Sequence, residues 1–80
     1  MTTIEIADIP TEWMTKGPII IHEGCLPVCA CMRRGHDGMG TIVVHTAIFK
    51  PDGTIAYELG AYCSTREQAD KAFEERCNSI

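Results

Sequence analysis

The sequence predicts an α+β fold, a small antiparallel sheet of three or four strands packed by one C-terminal helix. Three observations carry this. Residues 41–50 (TIVVHTAIFK) and 54–63 (TIAYELGAYC) are runs rich in β-branched and aromatic side chains. Pro51, Asp52 and Gly53 stand between them, and each suits a place in a tight turn. Proline pre-sets φ at the first corner, aspartate suits the second, and glycine takes the left-handed position. Ser64, Thr65, Arg66 and Glu67 then match a capping box, in which the serine side chain and Glu67 satisfy each other's free backbone N–H.

Taken in order, residues 2–6 alternate weakly, with Ile4 and Ile6 on one side, and read as a short edge strand that Pro10 ends. Residues 11–14 read as one helical turn, with Trp13 folded down as a lid. Gly17 and Pro18 punctuate the chain, and residues 18–22 (PIIIH) form a short strand. Residues 25–34 (CLPVCACMRR) form another, whose start must be irregular or at an edge because Pro27 has no N–H to donate. Residues 35–40 are a glycine-rich loop, long for a hairpin and expected to be mobile. The central hairpin fills residues 41–63. The helix then runs over 65–78, with Ala69, Ala72, Phe73, Arg76, Cys77 and Ile80 on one stripe, all apolar but Arg76. Glu67 and Lys71 stand in the favourable order for a pair four residues apart.

The turn sets the register of the hairpin and hence its faces. Counting outward from Lys50 opposite Thr54, one face carries Val43, His45, Ala47 and Phe49 with Ile55, Tyr57, Leu59 and Ala61. It is nearly all apolar, so the helix is expected across it, with Ala69 and Phe73 completing a core of Val43, Phe49, Tyr57 and Leu59. The other face pairs Ile48 with Ala56, Thr46 with Glu58, Val44 with Gly60 and Ile42 with Tyr62. Slippage by one residue would exchange the two faces.

Eighty residues make a single domain, 1–80. Such a chain buries only about 60% of its unfolded surface, so its core is small. A hydrophobic content of 45% and a charged content of 22% fit a globular protein. The net charge of −4 argues against direct nucleic-acid binding, which needs a basic footprint. No apolar run approaches the roughly 20 residues that span a bilayer. The N-terminus lacks a basic, signal-like region and the five cysteines are odd in number, so reduced thiols in a cytoplasmic protein are expected.

Cys25, Cys29, Cys31 and His36 are the sharpest chemical candidates, since thiolates and an imidazole bind zinc. Three cysteines within seven residues depart from the usual two separated pairs, and buried free thiols fit better, so no metal or cofactor is expected. No family signature surrounds a cysteine nucleophile with His36 or His45 as base, and an enzyme is not expected. Residues 35–40 lack the lysine and hydroxyl of a phosphate-binding loop.

The junction Ser64, Thr65, Arg66, Glu67, Gln68 and Ala69, entered straight from the last strand, resembles that of several very short phage-encoded proteins, including some anti-CRISPR proteins. The likeness covers the C-terminal half and consists of size, acidity and the capped junction. It implies a compact inhibitor, phage or mobile-element encoded, that blocks a bacterial defence complex by stoichiometric binding in the host cytoplasm. The implied target is a ribonucleoprotein of the Cascade or Cas-nuclease kind. The runner-up is a small zinc-binding or nucleic-acid-associated regulatory domain. The partner-binding surface expected is the second sheet face, Ile42, Val44, Ile48, Glu58 and Tyr62, with Asp37 of the neighbouring loop. Cover by the N-terminal 24 residues, sealed by Trp13, and homodimerisation are the alternatives for that face.

Overall fold

The computed structural model describes residues 9–80. Four strands, β1 (Trp13–Lys16), β2 (Val28–Arg34), β3 (Ile42–Phe49) and β4 (Ile55–Cys63), form one antiparallel sheet in the order β1-β2-β3-β4, and α1 (Arg66–Ser79) follows. The expected α+β architecture is what the chain adopts. The reading of residues 2–6 as a strand falls outside the described residues. Residues 11–14 do not make a helical turn: Trp13 and Met14 open β1, where they pair with β2 through a register shift between Trp13 and Thr15. Residues 18–22 make a single bridge, Ile20 to Val28, rather than a strand. Pro27 does keep the start of the next strand irregular; β2 begins after it, and the Pro27 carbonyl accepts from Phe49 N at 2.9 Å.

The Pro51, Asp52, Gly53 turn forms as its residues dictate. Lys50 N donates to Thr54 O at 2.9 Å, Gly53 N to Lys50 O at 3.1 Å, and Gly53 has φ +87°. The Asp52 carboxylate accepts from Thr54 N and Oγ1 at 2.9 and 2.6 Å. The helix cap lies one residue later than expected. Thr65 is the N-cap, its hydroxyl accepting from Gln68 N at 3.2 Å, while Gln68 Oε1 accepts from Ser64 N at 3.1 Å. Thr65 and Gln68 satisfy the same three-residue spacing as Ser64 and Glu67, so the sequence alone could not separate them. The helical ion pair is Arg66 to Asp70 at 2.8 Å.

The helix lies on the face opposite to the expected one. Its contact surface is Met32, Ile42, Val44 and Cys63, with Ala69 at the centre and Met14, Ala61, Ala72 and Phe73 packed around it. The cause is a bulge. From the turn outward the pairing runs as counted, to Thr46 opposite Glu58; then Val44 meets Ala61, Val43 meets Tyr62 and Ile42 meets Cys63. Leu59 and Gly60 together oppose His45. Everything in β4 beyond the bulge has moved one place, so Ala61 and Cys63 join Ile42 and Val44, and Tyr62 crosses to the other side. An all-apolar patch thus lies where the chain leaves β4 for the helix.

Leu59 has φ +54°, a left-handed conformation in which glycine is the usual occupant of such a bulge. Arg76 holds it there. Its Nη2 donates to Leu59 O at 2.6 Å and its Nη1 to Thr46 Oγ1 at 3.1 Å. The one polar residue of the helical stripe therefore meets the polar part of the face it packs on. At the far end of the helix, Gly17 comes so close that a Cβ there would stand 2.7 Å from Cys77 Sγ and 3.7 Å from the Phe73 ring.

Arg76→Met, which keeps the apolar stem, should lower unfolding stability by about 0.5–1.5 kcal/mol in a urea titration, because it removes the bonds to the exposed Leu59 carbonyl and to the Thr46 hydroxyl. Gly17→Ala should cost about 1–3 kcal/mol by overpacking, and adding Cys77→Ala should recover most of it; failure of that rescue would place the clash elsewhere.

Candidate functional site: the open sheet face and its edge

Among the described residues no helix lies on the face opposite α1. It is roofed by its own side chains. Cys29, Cys31, Ala47 and Phe49 are buried there, and Trp13, Ile19, Ile55 and Tyr57 pack over them half-buried. Trp13 does act as a lid, but on this face. It projects from β1 at one edge and meets Tyr57 of β4 at the other, its indole N–H donating to the Tyr57 hydroxyl at 3.1 Å, with ring centroids 6.1 Å apart and nearly edge-on. It also leans on Phe49, at 6.3 Å. The Arg33 guanidinium stands 5.4 Å from the Tyr57 ring centroid and donates from Nη1 to His36 Nε2 at 3.0 Å.

His45 lies beneath this roof, 7% exposed, with its ring 5.5 Å from that of Tyr57. Neither ring nitrogen has a hydrogen-bond partner, and nor does Arg33 Nε. The ring occupies the space beside Gly60, where a Cβ would meet its Cε1 at 3.0 Å. Burial, with Arg33 and Arg76 nearby, pushes the His45 pKa down, so the imidazole is held neutral. Burial likewise pushes the Cys31 thiol up to about 11 and raises Cys29 and the Tyr57 phenol. A thiol raised this far is a poor nucleophile at neutral pH.

The expected partner-binding residues are split. Ile42 and Val44 are 8% and 0% exposed beneath the helix and cannot meet a partner; the cover missing from the sequence reading was α1 itself. Of the expected N-terminal cover, Trp13 lies on the other face and Met14 packs at the margin of this one, while residues 1–8 lie outside the described residues. Ile48 is half-buried on the helix side, paired with Val28 and Ala56. Glu58 remains exposed there, opposite Thr46. Tyr62 is 77% exposed but projects with Val43 on the open face, through the bulge. Leu59, expected in the core, is 75% exposed. Trp13, Arg33, Tyr57 and Leu59 were not among the sequence-predicted contacts; only the strand order, which puts just β2 and β3 between β1 and β4, could have assembled them.

Asp37 is exposed and orders the glycine-rich loop. Its carboxylate accepts from Met39 N at 3.0 Å and from Thr41 Oγ1, bonds that hold its pKa below the usual carboxylate value. Beside this loop a cavity of about 430 Å³ opens over Met14, Arg34, Thr41 and Ile42. Among the described residues Arg34 is its only charged lining side chain, and none of them is a nucleophile or general base poised for chemistry there. Cys25 and His36 are exposed while Cys29 and Cys31 are buried on the open face, and no group of three or more metal-ligating side chains converges among the described residues. No helix there is long and apolar enough to cross a membrane.

Fold and surface together define a small α+β protein, a four-stranded antiparallel meander with a helix on one face and an aromatic, arginine-bearing surface on the other. No family model, no curated protein and no solved structure matches this chain.

All five cysteines are free thiols, but they differ in access. In the native protein a thiol reagent should modify exposed Cys25 first, half-buried Cys77 more slowly, and Cys29, Cys31 and Cys63 only at the rate of unfolding. Rapid modification of Cys29 or Cys31 in Cys25→Ser/Cys77→Ser, located by peptide mass, would mean that the open face is not sealed over them.

Proposed function

We propose that this chain is a protein-binding inhibitor that acts by occupancy, with the β4 edge and the open sheet face as its working surface. One observation carries the reading. Leu59 is 75% exposed, yet sits at φ +54°, where a leucine costs roughly 1–2 kcal/mol relative to a right-handed conformation and glycine costs far less. Among the described residues no hydrophobic cluster includes its side chain. A large apolar group held out in solvent in a strained conformation is what a contact residue looks like. Tyr62, exposed three residues on, and the Trp13, Arg33 and Tyr57 group belong to the residue types that dominate binding energy at interfaces.

The partner fitting this surface is a protein, with Leu59 entering an apolar pocket and Glu58 meeting a basic rim. The chain's net charge of −4 favours a basic target and disfavours nucleic acid itself. The resemblance of the strand-to-helix junction supports a crRNA-guided defence ribonucleoprotein, Cascade-like or a Cas nuclease, as that target. On this reading the chain is phage or mobile-element encoded, works in the host cytoplasm and catalyses nothing.

Leu59→Gly separates function from folding. Its melting temperature should equal or exceed the parent's, because glycine relaxes the bulge, while inhibition of target cleavage by a purified crRNA-guided complex should fall at least tenfold, about 1.4 kcal/mol of binding. Tyr62→Ala and Glu58→Lys, with melting temperatures unchanged, should weaken it too. If all three variants inhibit like the parent, this surface is not the working one; if the parent binds no such complex, the target class is wrong.

A further inference from the structure

We infer that His45 is the latch of a pH-sensitive device: proton uptake by its buried imidazole lifts the Trp13 and Tyr57 roof from the open face. The geometry leaves a second proton nowhere to go. A neutral imidazole carries one N–H; protonation from solvent adds another and a full charge. Neither nitrogen has a partner within hydrogen-bonding distance, and the ring fills the space beside Gly60, where a Cβ would meet its Cε1 at 3.0 Å and its Nδ1 at 3.1 Å. Among the described residues, the charged groups that act on it are the wrong sign. Arg33 of β2 stands on the same face and Arg76 of α1 acts from across the sheet, and both oppose a positive imidazole. Cys31, paired with His45 across β2 and β3, is held as the neutral thiol, and Tyr57 as the neutral phenol. Lys16 of β1 pairs with Cys31 on the sheet, but its charge acts on Cys29. Glu12, just before β1, is close enough to act on Tyr57.

An imidazolium here must reach water, and the roof is the part that can yield. β1 is four residues long, lies at the sheet edge and is already out of register between Trp13 and Thr15. Short edge elements open at a lower free energy than the sheet centre. The linkage has one sign. The closed form has a His45 pKa below the ordinary value of 6.5, so the closed roof is favoured above that pH and loses ground as pH falls below it, by up to about tenfold per pH unit while one proton is taken up. The latch deepens the reading of the open face as a docking surface, because acid would reshape that surface. Its test needs no partner, so failure of one does not entail failure of the other.

Trp13 is the only tryptophan and His45 one of three histidines, which makes the device readable. Trp13 emission and far-ultraviolet circular dichroism are followed from about pH 8 to about pH 4. Emission should shift to the red in a one-proton step with its midpoint below 6.5, the dichroism holding through it. The step should survive in His22→Gln/His36→Gln and vanish in His45→Gln. An emission change that tracks loss of dichroism, that persists in His45→Gln, or that disappears with His36→Gln overturns the inference. Should His45→Gln fail to fold, the His22→Gln/His36→Gln protein decides: its single imidazole, followed by NMR, must titrate at the midpoint of the emission step. A different midpoint, or one at or above 6.5, overturns the latch equally.

Discussion

The two hydrogen bonds of Arg76 tie the helix to the place where the sheet changes register. One guanidinium bonds the Leu59 carbonyl at 2.6 Å and the Thr46 hydroxyl at 3.1 Å, and so bridges the inner strand, the edge strand and α1. The bulge it stabilises has three consequences. It moves Ala61 and Cys63 onto the side of Ile42 and Val44, which completes the apolar bed for Ala69 and Phe73. It sends Tyr62 to the opposite side, and it leaves Leu59 facing solvent. Without the extra residue in β4, Gly60 and Tyr62 would occupy the helix-facing positions instead. A charged donor to a carbonyl is among the stronger single interactions available to so small a protein.

A chain of this size cannot cover both faces of a sheet with separate layers. It covers one with its helix and the other with long side chains reaching over from the edge strands. The central strands are therefore buried on both sides, and β2 shows how small residues permit that. Cys29 and Cys31 fill the open-face side, Ala30 and Met32 the helix side, all within 1% of full burial. Here cysteine serves as a compact apolar residue, which accounts for the high thiol pKa of Cys31 and for the absence of ligand geometry around it among the described residues.

The roof differs from the helix side in kind. The helix side is apolar contact closed by one arginine; the open side mixes aromatic rings, a guanidinium and a neutral histidine with unmet hydrogen-bonding capacity. Buried polar groups left unpaired cost stability, and here they lie beneath a half-exposed aromatic surface. Gly60 belongs to the same compromise, since a Cβ there would crowd the His45 ring at 3.0 Å.

Much of this architecture was legible from local chemistry. The turn at Pro51, Asp52 and Gly53, the register as far as Thr46 and Glu58, the break at Pro27 and the amphipathic helix with its capped start all follow from residues that act on their immediate neighbours. The sequence also placed Tyr62, Glu58 and Asp37 at the surface. It could not place Ile42 and Val44 under the helix, because a leucine in a glycine's conformation carries no sequence signal: it is imposed by Arg76, seventeen residues away, once the helix has docked. Side chains alternate with period two, so that single unsignalled residue inverted every face assignment beyond it. Which face the helix covers, which one stays open, and that Trp13 meets Tyr57 across the sheet were therefore decided by tertiary packing alone.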